Sequence, residues 1–200
     1  AGLEIGSSVR NLVECLSESA NDITVQTALL ESRCVWGDES LYEQFAASFK
    51  TQLEARAFFT GKTLEMQQRH SKFENTPYSL EPNCKESPGG LRDIQTIAWI
   101  AKRHYKADTL ADLVSLGFLT QSEYQDLAQG EQLLWRIRYG LHLLAGRRED
   151  RLLFDRQKDL ARLFGYQDDD KSLAVEKLMQ QYYRAVATLR GLNDVLLQHF

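Results

Sequence analysis

All three prolines of this 200-residue chain, Pro77, Pro82 and Pro88, fall between residues 77 and 88. Proline removes a backbone donor and disfavours helix in the residue before it, so the chain must leave helical geometry there. Nothing of the kind interrupts residues 1–76 or 89–200, and long helices are permitted on both sides. The proline stretch runs into Gly89-Gly90 and then into Leu91-Arg92-Asp93-Ile94, where Leu91, Ile94, Ile97, Ala98 and Ala101 share one helical face. The chain therefore reads as mainly α, with one built loop at 77–90 where recognition or chemistry is expected.

Ahead of that loop the pattern is mixed. Leu3 to Ile5 reads as a short strand, and Val9, Leu12, Val13 and Leu16 follow helical spacing with Ser7 or Ser8 as N-cap. Asp22-Ile23-Thr24-Val25-Gln26-Thr27 is β-branched and alternating, which predicts a second short strand before a helix stopped by Gly37. From Asp38 onward helices follow one another. The first carries Leu41, Phe45, Phe49 and Leu53, with a break near Thr60-Gly61 and a second helix to about Lys72. A helix spans Leu91 to about Tyr105, and Thr120-Gln121-Ser122-Glu123 has the form of a capping box opening a long helix to Gly146. Gly130 and Gly140 count against that helix being unbroken. Asp155 is placed to cap a helix closing at Gly165, and Asp168 to Asp170 precede a last helix towards His199. The expected architecture is a small α/β remnant over 1–36, then an antiparallel, bundle-like helical domain over 37–200.

Composition narrows the function. With 43% hydrophobic and 26% charged residues the chain matches a globular protein, and 24 basic against 28 acidic residues give a net charge of -4. No nucleic acid partner is expected from such a balance. The longest uncharged run, Leu113 to Ser122, is too short to span a bilayer, so no membrane association is expected. Cys15, Cys34 and Cys84 have neither zinc-site nor disulfide-framework spacing, which suits a reducing cytoplasm. The start, Ala1-Gly2-Leu3-Glu4, has no signal-peptide character, and the chain reads as cut from a longer protein.

Two places can carry chemistry. With Gly90 as N-cap, the free N–H groups and dipole of the helix at Leu91 would face the loop, and Lys85 and Arg92 would add charge suited to a phosphate or carboxylate. The alternative is a tight Pro-Gly-Gly turn in which Asp93 merely complements the dipole; the P-loop pattern is missing. Asp22 can contribute to a divalent-metal site, or simply cap a turn. Gly146-Arg147-Arg148-Glu149-Asp150-Arg151 reads as a solvated, salt-bridged turn, and Asp168 to Asp170 as helix-favouring acids without EF-hand spacing. His70, His104, His142 and His199 share no ligand spacing and receive no role. Trp99, Trp135, Tyr139, Tyr182 and Tyr183 are expected to be interhelical packing.

Leu80-Glu81-Pro82-Asn83-Cys84-Lys85-Glu86-Ser87-Pro88-Gly89-Gly90-Leu91-Arg92-Asp93-Ile94-Gln95 closely resembles the bacterial PII uridylyltransferase/uridylyl-removing family. Gly2 to Arg10, Asp22 to Val25, Leu29 to Arg33, Leu143 to Phe154 and Leu196 to Phe200 resemble it too. The resemblance implies the end of a polymerase-β-type nucleotidyltransferase core followed by a helical domain. The implied reaction moves UMP from UTP to a tyrosine of the PII nitrogen-signalling protein, with Mg²⁺ as cofactor. It makes Asp22 the candidate catalytic and metal-binding carboxylate. Lys85, Gly89, Gly90, Arg92 and Asp93 become candidate nucleotide-binding residues. The family's paired-aspartate motif would lie before Ala1, and its UMP-removing hydrolase and ligand-sensing domains beyond Phe200, so the fragment alone is expected to be inactive. The competing readings are a non-catalytic helical scaffold or PII-docking module, and a relative of glutamine synthetase adenylyltransferase, which carries a looser form of the Gly-Gly-x-Arg-Asp-Ile motif.

Overall fold

A computed structural model describes residues 6–52 and 54–200, which form two compact units, one ending at Gly61 and the other beginning at Lys62. The mainly-α expectation holds: the described residues form helices and no strand longer than an isolated bridge. The expected strand at Leu3 to Ile5 lies outside the described residues.

The first unit holds α1 (Leu12–Asn21), α2 (Ile23–Leu30), α3 (Glu39–Gln52) and the opening of α4 (Ala55–Ser71). The N-cap of α1 is Asn11, not Ser7 or Ser8. Its Oδ1 accepts from the Glu14 N–H at 2.9 Å while the Glu14 carboxylate accepts from the Asn11 N–H at 2.9 Å, a reciprocal box that neither serine can form. The strand expected over Asp22 to Thr27 is corrected to helix. Asp22 ends α1 and caps α2, taking the N–H groups of Thr24 and Val25, and the Thr27 hydroxyl bonds back to the Ile23 carbonyl at 2.7 Å. Local capping and packing of α2 on α1 outweigh a β preference that is weak out of context. Residue 36 falls in the irregular link 31–38. The expected break at Thr60-Gly61 does not occur: α3 ends at Gln52, and α4, which begins at Ala55, runs through Gly61. A Cβ at Gly61 would lie 2.5 Å from Ile23 Cδ1, so the glycine serves close packing rather than a break.

The second unit continues α4 and adds α5 (Leu91–Tyr105), the single turn α6 (Asp112–Ser115), α7 (Gln121–Ala145), α8 (Phe154–Leu163) and α9 (Ala174–His199). α9 packs on α5, α7 and α8 and forms the axis of the core. Leu134, Ile137 and Leu141 of α7, Leu160 of α8, and Leu178, Tyr182, Val186 and Leu196 of α9 are buried together. Each such side chain contributes about 1.5–3 kcal/mol of apolar burial.

α7 is unbroken despite Gly130 and Gly140. A Cβ at Gly130 would meet the Leu189 side chain at 3.0 Å, and one at Gly140 would meet Leu160 at 2.5 Å and Phe164 at 3.2 Å. These glycines let α9 and α8 approach α7 closely, and the packing offsets their poor helix propensity. The Thr120–Glu123 box opens α7 as expected, and Gly146 closes it at φ 64°. Asp168 and Asp169 serve the start of α9: Asp168 accepts from the Ala174 N–H at 2.6 Å, and Lys177 holds the Asp169 carboxyl down to about 2. Asp155 lies in the first turn of α8 rather than at its cap, which is Leu153. Among the described residues no helix is long and apolar enough to cross a membrane.

Candidate functional site

The loop before α5 is built by its own carbonyls. Asn83 starts it with an Asx turn: its Oδ1 accepts from the Lys85 N–H at 3.0 Å and the Glu86 N–H at 2.8 Å, and its own N–H donates to the Ser87 hydroxyl at 3.0 Å. The chain then folds back so that the Gly90 N–H donates to the Ser87 carbonyl, Leu91 to Cys84, Arg92 to Lys85, and Asp93 to Gly90, all at 2.8–3.1 Å. The sequence led us to expect free N–H groups at this helix start. They are engaged within the loop instead, so the anion-friendly amides of an uncapped terminus are not on offer here.

The two glycines are required by this self-capping. Gly89 has φ +77°, and a Cβ there would collide with the Val186 carbonyl oxygen of α9. A Cβ on Gly90 would lie 2.8 Å from the Lys85 and Ser87 carbonyl oxygens and 3.0 Å from that of Cys84. Both glycines are buried.

Asp93 completes the structure. It is 1% exposed, and its carboxylate takes the Gly89 N–H at 2.8 Å, the Arg69 guanidinium, and His70 Nε2 at 2.9 and 3.0 Å. It ties the end of α4 to the loop and to α5. His70, given no role from sequence, is one of its partners.

The cations gather around Glu86 with their side chains largely buried. Lys85 Nζ lies 3.0 Å from Glu86 Oε1, Arg92 3.8 Å from the same oxygen, and Arg69 Nε 3.9 Å from Glu86 Oε2. The Trp99 ring faces Arg92 at 5.4 Å and the Lys62 ammonium at 4.6 Å. Trp99 is thus a partly exposed platform for two cations as well as a packing residue. Tyr182 is buried in the core as expected, whereas Tyr139 is exposed and stacks on Trp135.

The other flank of the loop is strapped to residues 150–157. The Cys84 N–H donates to the Asp150 carbonyl at 2.9 Å, the Leu152 N–H donates to that of Pro82 at 2.8 Å, and Asn83 and Arg151 form an antiparallel bridge. Gln157 Nε2 donates to the Leu80 and Leu152 carbonyls, each at 2.8 Å. The end of the segment Gly146 to Arg151 therefore straps the loop through Asp150 and Arg151 as well as forming a salt-bridged turn. Burial and the Asp150 charge push the Cys84 thiol up to about 12, leaving it an inert packing group. Asp150 itself accepts from Arg138 Nε at 2.7 Å and pairs with His142 Nε2 at 3.1 Å.

Partial burial would raise the Asp150 pKa, but the bonds from Arg138 and His142 outweigh it and hold the carboxyl below its usual range. A carboxyl depressed on folding stabilises fully above its unfolded pKa, about 3.9, and that stability is lost as pH falls through the lower folded value. Asp150→Asn is expected to destabilise at pH 7 by about 1–2 kcal/mol, with the gap to wild type closing below about pH 4. Urea unfolding across that range checks it.

In the first unit Asp22 is exposed, its Oδ1 2.7 Å from the Thr24 N and 3.4 Å from the Val25 N. The Thr24 backbone bond chiefly holds its carboxyl below the usual range. The bland alternative, a capping acid, describes its local role. Among the described residues no three His, Cys, Asp or Glu side chains group to hold a metal ion.

Sequence missed Arg69, His70, Glu86, Arg138, His142 and Asp150. Only Glu86 sat inside the motif. Arg69 and His70 reach the loop through Asp93, and Asp150 through its backbone bond to Cys84, with Arg138 and His142 holding the Asp150 carboxylate.

A family model described as GlnD PII-uridylyltransferase matches residues 57–197, which takes in the whole loop but not Asp22. A "Bifunctional uridylyltransferase/uridylyl-removing enzyme" of Pseudomonas aeruginosa strain LESB58 is 50% identical across 100% of this chain and 22% of its own length. Equivalents from Azotobacter vinelandii (50%, with the same coverage) and Burkholderia orbicola (49%, over 99% of this chain and 23% of the relative) are similar to it. The chain thus spans about a fifth of the length of these relatives. No solved structure matches. A match over most of the chain, identity of this level from end to end, and the loop that both cover place the chain in the GlnD PII-uridylyltransferase family.

Proposed function

We propose that this chain is the helical part of a cytoplasmic enzyme that transfers UMP from UTP to a tyrosine of the PII signalling protein. The observation that carries the reading is family membership along the whole chain. In that reaction the tyrosine oxygen forms a bond to the α-phosphorus of UTP, pyrophosphate leaves, and the phenolic proton is lost. Lys85 and Arg92 supply positive charge to the polyphosphate, while Gly89, Gly90 and Asp93 act by fixing the loop that presents them. Mg²⁺ would be held by Asp22 as one ligand together with further carboxylates. UMP removal belongs to other parts of the longer protein.

The test uses the full-length protein and Asp22→Asn. Asparagine caps a helix as well as aspartate but carries no charge. Transfer of UMP to PII is expected to fall by about 100-fold or more, with melting unchanged. Intact transfer would remove Asp22 from the chemistry and leave it a helix cap.

One observation favours a second reading, a helical scaffold or PII-docking module. Three of the five loop candidates, Gly89, Gly90 and Asp93, are consumed by the fold itself. On that reading Lys85 and Arg92 are surface charges only.

A further inference from the structure

We propose that the Glu86 carboxylate occupies the seat of a ligand phosphate: an internal anion that holds Arg69, Lys85 and Arg92 in place and yields when a polyphosphate arrives. This rests on the reading that Lys85 and Arg92 bind nucleotide phosphates, and names what regulates that same site.

Glu86 is the acid that all three cations share, and it is held loosely. Only Lys85 reaches it at hydrogen-bond length, 3.0 Å; Arg92 and Arg69 stand off at 3.8 and 3.9 Å. Arg69 Nε is buried, without a hydrogen bond, on the side facing Glu86. A guanidinium N–H desolvated and left unbonded calls for an acceptor closer than this carboxylate stands. Asp93 cannot supply one, because both its oxygens are engaged and it is 1% exposed.

Glu86 can move where Asp93 cannot. Its side chain is 29% exposed, and its backbone N–H is fixed by Asn83 Oδ1, so the carboxylate can swing out without unravelling the loop. Its departure leaves three cations facing one another, with only Asp93 on Arg69 and the more distant charge of Asp150 near Lys85 in partial compensation. A phosphate chain offers several oxygens at once to the bidentate Arg forks and the Lys ammonium, which one carboxylate cannot do. A monophosphate exchanges for the carboxylate at little gain. The device therefore selects for polyphosphate and keeps the site closed to simple anions.

The experiment measures binding of inorganic tripolyphosphate and of orthophosphate to the full-length protein by calorimetry, with thermal melting as the check on folding. Glu86→Gln is expected to bind tripolyphosphate about threefold to tenfold more tightly and to gain measurable orthophosphate binding. Glu86→Asp, which keeps the charge, stays near wild type. Lys85→Ala and Arg92→Ala lose tripolyphosphate affinity. If those two lose affinity while Glu86→Gln binds no more tightly than wild type, this inference is overturned and the phosphate role of the cations stands. If neither wild type nor Glu86→Gln binds tripolyphosphate, both readings fall.

Discussion

Asp93→Ala is expected to lower the free energy of unfolding by about 3–5 kcal/mol, the range for breaking a buried ion pair by removing one partner. The carboxylate gathers the Gly89 N–H, Arg69 and His70 in a setting 1% exposed. Alanine leaves the Gly89 N–H without its acceptor and Arg69, 14% exposed, with only the distant Glu86 as counter-charge. Each loss costs more than the contact itself is worth, because the remaining group stays desolvated. Asp93→Asn keeps the shape but not the charge, and should recover only part of the loss. Guanidinium unfolding of the three proteins checks the order wild type, Asn, Ala. A loss under about 1 kcal/mol in Asp93→Ala would mean that Asp93 is not the tie between α4 and the loop.

Gly89→Ala has the second largest expected effect, about 2–4 kcal/mol. Roughly 1 kcal/mol comes from an L side chain at φ +77°, and the rest from collision with the Val186 carbonyl oxygen. That oxygen belongs to the backbone of α9 and cannot rotate aside, so relief requires the loop to lift from the core. Gly165→Ala is the control. Gly165 also has positive φ, at +80°, but a Cβ there meets nothing within 4 Å, and only about 1 kcal/mol should be lost. Equal losses at the two positions would show that backbone conformation alone, and not the contact with α9, fixes Gly89.

Much of the helical order was legible because the signals are local. The Thr120–Glu123 box, the apolar face from Leu91 to Ala101, and the glycine ends at Gly146 and Gly165 each depend on residues within one or two turns. Failures came where tertiary or capping contacts overrode a local preference. Asp22 capping turned a β-branched run into α2, and Gly61, Gly130 and Gly140 proved to be places where neighbours press in rather than helix breaks. The site was half legible. A proline loop feeding Gly-Gly and Lys/Arg into a helix announced itself, but its inner logic did not. That logic depends on Arg69 and His70, more than twenty residues away, meeting Asp93, and on the 150–157 segment strapping Cys84. Nothing in the spacing of a single sequence pairs those positions.

On the proposed function the loop divides its labour, with Gly89, Gly90 and Asp93 holding the fold and Lys85 and Arg92 holding phosphate. The most direct measurement is UTP affinity of the full-length double variant Lys85→Ala/Arg92→Ala. The expected result is a loss of about tenfold or more in affinity, with a melting temperature close to wild type. UTP binding indistinguishable from wild type in a folded double variant would contradict it.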